Sequence, residues 1–330
     1  MSGVSTISLA AQMLGALATF CLSTPAWTAE QEKPLCLYVS SYHQGFAWSD
    51  GVERGLRNTI DEQCTLVQLD MNTQREKTPA NKILAGKTAY KLYQNLNPDI
   101  VISSDDNAVK YFVVPYLVDT ETPVVFSGIS WSLEEYGLPA NNITGIVRVA
   151  HIESMLSMGL NATEKSQDDL TRIAYLGAKT LTETRNYNRV KKVAKNLSLK
   201  VDGMLVEDFE AWKKGFKRAQ DYDLVIIGDK SGIDQWNTRQ ALATVNHSST
   251  KPSMTNHKSM LPYSLFGFTS IAEEFGEWAA TSAIAILNGM KVFDIPIVSN
   301  QHWDTWVNKQ LLKKQTLKIS ESIFRSAKEY

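Results

Sequence analysis

The sequence predicts an α/β protein of two doubly wound parallel-sheet lobes, and three observations carry that prediction. Short apolar, β-favouring runs alternate with amphipathic helical stretches from Leu35 onward. The alternation restarts near Arg172 and runs a second time. At 330 residues the chain is long enough for two cores of ordinary size. Its 43% hydrophobic and 21% charged residues, with a formal net charge of -1, describe a globular protein without the basic excess that would recruit nucleic acid.

The first 29 residues carry no charged side chain, and Ile7 to Leu22 is apolar apart from small polar residues and Gln12. That core is shorter than the about 20 residues a bilayer crossing needs, but it suits a secretory signal. Cleavage after Ala26 or Ala29 fits the small-residue rule, so residues 1–29 are expected to be a signal peptide. No Lys or Arg precedes the apolar core, which is atypical, and a membrane-tethering helix is the alternative. The bulky Phe20 argues against acylation of Cys21.

Leu35 to Val39 has the length and composition of a strand buried on both faces, and it stops at Ser40, Ser41, Tyr42 and His43. A helix follows. Ser49 or Asp50 is its expected cap, Asp50 and Glu53 have capping-box spacing, and Val52, Leu56 and Ile60 recur along one face. In an open parallel sheet the ligand crevice lies outside the carboxyl ends of the strands, so the loop holding Tyr42, His43 and Trp48 is placed where a ligand would be met. Cys36 and Cys64 begin the strands Leu35 to Val39 and Thr65 to Leu69, which βαβ topology sets side by side. In an oxidising compartment they are expected to form a disulfide; two buried free thiols are the alternative.

Thr78 and Pro79 open the next helix, and Asn97-Pro98 closes it. Ile100 to Ser103 is the third strand, followed by Ser104, Asp105, Asp106 and Asn107, and then by a helix whose apolar face is Val109, Phe112, Val113, Tyr116 and Leu117. Val124 to Phe126 is the fourth, ending in Ser127-Gly128-Ile129-Ser130-Trp131, and Ile143 to Val147 the fifth. The second half repeats the scheme: strands Arg172 to Leu176, Leu199 to Leu205 and Asp223 to Ile227, with helices Glu183 to Leu197 and Ala211 to Ala219. A helix near Trp236 to Val245 and apolar segments around Lys251 to Thr255 and Leu265 to Phe268 complete a second sheet. Ser270 and Glu273 have capping-box spacing for what reads as the longest helix, which ends at Asn288-Gly289. The remainder, with a strand-like Ile295 to Val298 and a helix Thr305 to Leu312, is too short for a third domain and must complete the two lobes.

SSYHQGFAWSDGVERGL, SSDDNAVKYFVVPY, FSGISWSLEEYGLP and NITGIVRV, together with two α/β lobes in series, resemble the type I periplasmic substrate-binding proteins of ABC transporters, in a bacterial branch of uncharacterised ABC-type periplasmic components. The resemblance covers nearly the whole mature chain and says nothing of the ligand. It implies a periplasmic location and an N-terminal lobe of residues 30–148 plus 271–294. It also implies a C-terminal lobe of residues 149–270 plus 295–330, with three crossing segments near Val147 to Ala150, Phe268 to Ile271 and Phe293 to Val298. It implies hinge closure on a small ligand and delivery to an ABC transporter permease. A sensory binding protein feeding a membrane receptor or sensor kinase shares this logic.

Chemistry is the competing reading. Gly128-Ile129-Ser130-Trp131-Ser132 has half of a nucleophile elbow, but Ser132 stands where the second Gly belongs, which leaves a secreted α/β hydrolase as the distant alternative. The five histidines show no pair at metal spacing and there is no CxxC, HExxH or phosphate-binding loop, so neither metal nor cofactor is expected. His43 is as readily a solvated loop residue as a ligand contact, and the adjacent Asp105 and Asp106 cap a helix as readily as they form an acid-base pair. The expected ligand contacts are Ser41, Tyr42, His43 and Trp48; Ser104, Asp105, Asp106 and Asn107; and Ser127, Gly128, Ser130 and Trp131. The second lobe is expected to answer with Lys179 and Thr180, Asp208, and Asp229, Lys230 and Ser231. Hydroxyls and the N–H groups where helices begin after Asn107 and Thr180 suit a carboxylate. Asp105, Asp208 and Asp229 suit an amine, and Trp48 and Trp131 a flat apolar portion. An amino acid or amine-bearing compound is expected, with a sugar as the main competitor; tryptophans that merely cover helix ends are the bland alternative.

Overall fold

The computed structural model describes residues 1, 3, 33–76, 78–163, 172–314 and 327–330. The expected signal peptide, its cleavage sites and Cys21 lie outside these residues. From Pro34 to Tyr330 the chain forms one unit containing two sheets.

The first sheet takes β1 (Leu35–Ser40), β2 (Thr65–Asp70), β3 (Ile100–Ser104), β4 (Val124–Ser130), β5 (Ile143–Arg148) and β11 (Val298–Ser299), in the order β11-β5-β4-β3-β1-β2 and parallel throughout. Its helices are α1 (Ala47–Ile60), α2 (Pro79–Leu96), α3 (Asp105–Ala108), α4 (Val114–Tyr116) and α9 (Ala272–Leu287). β3 is buried along its whole length, and β1 is buried beyond its first residue, which is why both read as unbroken apolar runs. α9 lies directly on α1. A Cβ at Gly55 would sit 2.1 Å from the Glu273 carbonyl oxygen and one at Gly276 would sit 2.0 Å from that of Val52, so only glycine permits the crossing. A disulfide joins Cys36 and Cys64, whose Cα atoms are 6.1 Å apart at the start of β1 and just before β2.

The second sheet takes β6 (Arg172–Ala178), β7 (Lys200–Val206), β8 (Leu224–Ile227), β9 (Ser253–Thr255), β10 (Phe266–Ser270), β12 (Trp303–Val307) and β13 (Lys328–Glu329), in the order β13-β12-β10-β9-β8-β6-β7. β12 runs antiparallel to β10; the other pairs are parallel. The accompanying helices are α5 (Ile152–Ala162), α6 (Leu181–Asn196), α7 (Phe209–Ala219), α8 (Thr238–Ser248) and α10 (Lys309–Leu312). Trp212 is wholly buried in this lobe's core.

Several elements differ from the sequence expectation. α1 begins at Ala47, one turn before its expected cap: the Phe46 carbonyl accepts from the Asp50 N–H, and Asp50 reaches back to the Gly45 N–H at 2.8 Å. The third helix begins at Asp105 rather than after Asn107 and passes through a π-helical turn at Val109–Val113, where the Val114 N–H reaches back five residues to the Val109 carbonyl and Pro115 has no N–H to offer. Ser270 does not cap α9, because it still belongs to β10; Ile271 occupies the cap position, and Glu273 pairs with Arg54 at 2.5 Å instead. α2, not α9, is the longest helix among the described residues. The expected helix from Thr305 is instead strand β12 through Val307, its backbone paired with β10, and the helix starts only after Asn308, whose side chain accepts from the Leu311 N–H.

The expected strand Ile295 to Val298 shrinks to β11, which pairs with Ile146 and Val147 of the first sheet, so this stretch does not lie with the second lobe as its sequence position suggested. The three passages between the sheets are accordingly residues 149–151, Ile271, and residues 300–302, the third falling beyond Phe293 to Val298. Two of them are tied together. The buried Asn300 accepts from the Val149 N–H at 2.8 Å through Oδ1, and its Nδ2 meets His151 Nε2 at 3.0 Å. Glu274, from α9, accepts from the backbone N–H groups of Gln301 and His302.

Candidate functional site between the lobes

β1, β3, β4 and β5 end at Ser40, Ser104, Ser130 and Arg148, so their last residues and the loops beyond form one edge of the first lobe. Much of that edge is bonded to itself. Ser41 Oγ donates to the Ser104 carbonyl at 2.6 Å and accepts from the Ala108 N–H at 2.7 Å. Thr73 donates to the Ser41 carbonyl and accepts from Asn107 Nδ2, while Ser104 Oγ pairs with the Tyr38 hydroxyl. Ser41, Ser104 and Ser127 are buried. Ser41 and Ser104, with Asn107, build the floor of the lobe, while Ser127 Oγ is buried without a hydrogen-bond partner among the described residues.

Asp105 is wholly buried and holds a left-handed backbone, φ 66°, at the strand-to-helix turn. Its Oδ1 accepts from Trp48 Nε1 at 2.9 Å and its Oδ2 has no partner. Burial pushes its pKa up to about 7, with Asp106 adding to the shift and the Arg148 cation opposing it. Gly128, φ 82°, sits at the bulge of β4 against this carboxyl; a Cβ there would lie 3.2 Å from Asp105 Oδ1. Asp106 is occupied as well, accepting from the Ser130 N–H at 3.1 Å, Ser130 Oγ at 2.8 Å and the Tyr136 hydroxyl at 2.6 Å. Ser130 also accepts from Arg148 Nη2 at 2.9 Å, so its neighbours are a carboxylate and a guanidinium, with no histidine in hydrogen-bond contact among the described residues.

Above this floor stands Arg148. Its guanidinium lies 4.8 Å from the ring centre of Trp48, is half-buried, and has one acceptor among the described residues, Ser130 Oγ, for five N–H donors. Tyr42 is beside it: burial and the Asp105 charge raise the phenol's pKa and Arg148 lowers it, so Tyr42 remains a neutral donor. His43 leans on Phe46, with ring centres 5.9 Å apart, and its Nδ1 is buried without a hydrogen-bond partner.

The second-lobe residues are brought to the corresponding strand ends, but most serve local structure. Thr180 caps α6 through the Glu183 N–H, and Asp208 caps α7 through the Ala211 N–H at 2.8 Å. Lys179 pairs with Glu207 at 2.7 Å, and Lys230 lies over Trp236 and Tyr263 at 5.6 and 5.7 Å. Asp229 accepts from the Ser231 N–H and Ser259 Oγ through Oδ1 alone.

Trp131, also left-handed at φ 69°, does not join Trp48. It packs against the second core, under the Arg189 guanidinium at 4.4 Å. Beside it Glu135 pairs with Arg185 at 2.7 Å, so the loop after β4 and helix α6 touch across the lobes. Sequence reasoning missed Arg148, Tyr136 and Arg189. Arg148 had a usable signal, since it directly follows the predicted strand Ile143 to Val147. Tyr136 lies in a loop without one, and Arg189 reads as an ordinary charge on an amphipathic helix.

A model of the family described as ABC transporter substrate binding protein matches residues 43–330. The chain belongs to that family. No curated protein matches it in sequence. Among solved structures it is similar to an ABC domain from Streptococcus pneumoniae in complex with L-Trp, at a TM-score of 0.64 and 15% identity over 90% of this chain and 99% of that one. It is also similar to a substrate-binding protein with adhesive properties from Clostridium difficile in its ligand-free, open form, at 0.72 and 13% over 90% and 99%. A third likeness is a solute-binding protein from R. palustris in complex with 4-hydroxybenzoate, at 0.54 and 10% over 78% and 80%. At these identities the likeness establishes the fold, that of the type I periplasmic binding proteins. The binding protein captures a small solute and delivers it to an ABC transporter, and its family works in the periplasm or elsewhere outside the cytoplasm.

Proposed function

We propose that the solute is a small carboxylate with a flat apolar portion, an amino acid above all, taken between the strand-end edges of the two lobes. The observation that carries this reading is Arg148: a half-buried cation at the strand-end edge, stacked on Trp48, with most of its donors unpaired among the described residues. A guanidinium so placed is suited to bidentate recognition of a carboxylate. The Tyr42 hydroxyl supplies a neighbouring donor, and His43 with Phe46 supplies an apolar wall. An amine on the ligand goes to Asp229 or Asp208, each of which uses Oδ1 for local bonds and has no hydrogen bond to Oδ2 among the described residues, whereas Asp105 is sealed under Trp48. The L-Trp and 4-hydroxybenzoate of two structural neighbours are both aromatic carboxylates, while another neighbour is a periplasmic ribose ABC transporter protein, so the choice of this class over a sugar rests on Arg148.

Residues 1–29 fit a signal peptide that exports the chain. Binding without catalysis is the reading for Ser130, because a hydroxyl held between Asp106 and Arg148 lacks a neutral base to take its proton. The experiment is a thermal-shift screen of amino acids, aromatic acids, sugars and nucleosides. A ligand at 100 times its dissociation constant stabilises by about 2.7 kcal/mol. Amino acids or aromatic acids should give the largest shifts; a response confined to sugars would replace this reading.

A further inference from the structure

Along the flank of helix α6 a cavity of about 540 Å³ opens between the loop after β4 and the start of α5; neither Trp48 nor Arg148 lines it, although the N–H of its wall residue Trp131 donates to the Arg148 carbonyl at 3.0 Å. That volume lies in the range of small-molecule sites. Its walls are of two kinds. Trp131, Ile152 and Val193 are apolar, while Arg189 and Lys192 bring two cations against the single carboxylate of Glu153. Arg185 adds a third cation close by, but Glu135 pairs with it.

Arg189 is the informative member. It is half-buried, it stacks on Trp131, and no acceptor among the described residues hydrogen-bonds any of its five N–H donors. Burial and the neighbouring Arg185 charge lower its pKa, and the Glu135 and Asp106 charges oppose that shift without cancelling it. Leaving such a group partly desolvated is costly unless an oxyanion meets it. The start of α5 adds donors: His151 at its cap position makes no side-chain hydrogen bond to the helix, and the Glu153 and Ser154 N–H groups have no backbone acceptor among the described residues. Trp131 and Ser132 come from the first-lobe loop and Arg189 and Lys192 from the second lobe, so anything bound here touches both.

We propose that this flank cavity is a second binding site, distinct from the strand-end site, for a small carboxylate with a planar apolar body. The carboxylate meets Arg189 and Lys192, and the planar body lies along Trp131, Ile152 and Val193. Because both lobes contribute, occupancy holds the loop after β4 against α6 and favours that arrangement of the lobes over any in which the contact is lost.

Benzoate and its neutral counterpart benzamide are the probes, read through the indole N–H resonances of Trp131 and Trp48 in protein labelled with ¹⁵N-tryptophan. Benzoate should move the Trp131 signal saturably, benzamide should act at least about tenfold more weakly, and Arg189→Met should weaken benzoate by about the same factor. Arg148→Met should leave the Trp131 titration intact, so failure of the strand-end reading, seen at Trp48, is separable from failure here. Three results would each overturn the proposal: a Trp131 signal that stays still up to 20 mM benzoate, one that benzamide moves equally well, or one whose response disappears with Arg148→Met and survives Arg189→Met. Arg189→Lys, which keeps charge but loses the fork, should fall between the wild type and Arg189→Met if the variants are folded alike.

Discussion

The two strand-end edges face the same task with different construction. In the first lobe, Ser41, Thr73, Ser104 and Asn107 bond to one another across three loops, and Asp105 and Asp106 are clamped by Trp48, Ser130 and Tyr136. In the second, Thr180 and Asp208 each cap one helix, Asp229 holds the Ser231 N–H and Ser259 Oγ, and Lys179 pairs with Glu207. The first is a cross-linked platform; the second is a row of independent caps. A platform of this kind fixes the position of Arg148, whereas independent caps leave each loop free to adjust to what the platform holds. The comparison teaches that a polar residue at a strand end has two competing uses, and that only its partners decide which it takes.

The largest expected effects are two of comparable size, and the first lies in the platform. Asp105 has its pKa raised by burial from 3.8 to about 7, so the folded state binds its proton more tightly than the unfolded chain, and stability falls as pH rises from about 4 through 7. Asp105→Asn removes the ionisation cost and tolerates the left-handed backbone. It should stabilise the protein at pH 8 by on the order of 2–4 kcal/mol and change little at pH 4, where the acid is already neutral. Chemical denaturation at the two pH values tests this; equal effects at both would show that folding does not raise the pKa of this carboxyl.

Next is the disulfide, which cross-links the first lobe across a separation of 28 residues. The chain-entropy estimate for such a loop is about 3–4 kcal/mol, so Cys36→Ala/Cys64→Ala should lose roughly that much, and the unfolded, non-reduced protein should titrate no thiol at these positions. Two free thiols there would remove the cross-link from the account.

Ser41→Ala and Thr180→Ala sharpen the contrast between the lobes. Ser41 is buried and serves two partners, so its loss should cost about 2 kcal/mol; Thr180 is a helix cap, worth about 1 kcal/mol. The reverse order would mean that the second lobe is the more tightly connected of the two.

The smallest effect belongs to the passages between the lobes. Asn300 donates from Nδ2 to His151 because its Oδ1 already accepts from the Val149 N–H, which requires a neutral His151 with the proton on Nδ1. Burial lowers the His151 pKa, the nearby His302 lowers it further, and Glu274 opposes both. A histidine whose folded pKa is depressed contributes stability that is present above about pH 6.5 and declines below it. His151→Gln, which keeps an acceptor, should therefore lose part of the acid sensitivity between pH 7 and 5. Identical pH profiles for the two proteins would place the sensitivity elsewhere.

Most of the fold was legible because it rests on periodicity and caps. Val52, Leu56 and Ile60 mark the buried face of α1, and Thr78-Pro79 opens α2 where it stands. What failed depends on partners distant in sequence. Trp303 to Val307 becomes a strand because β10 offers an edge, and Val298 joins the first sheet because β5 does. The site divides in the same way. Strand ends could be located, which placed Tyr42, Trp48 and Asp229 close to them; but that Asp105 would be sealed under Trp48, and that Trp131 would cross to Arg189, follows from left-handed turns whose direction no sequence pattern shows.

The central claim is that Arg148 anchors a carboxylate-bearing solute on the first-lobe platform. Isothermal titration of the best amino acid or aromatic acid from the thermal-shift screen into the wild type and Arg148→Met, with matched folds checked by circular dichroism, tests it most directly. The account predicts at least about tenfold weaker binding, or roughly 1.4 kcal/mol, in the variant, and a similar loss when the wild type is given the ligand's neutral amide. Affinity unchanged by both the variant and the amide would contradict it.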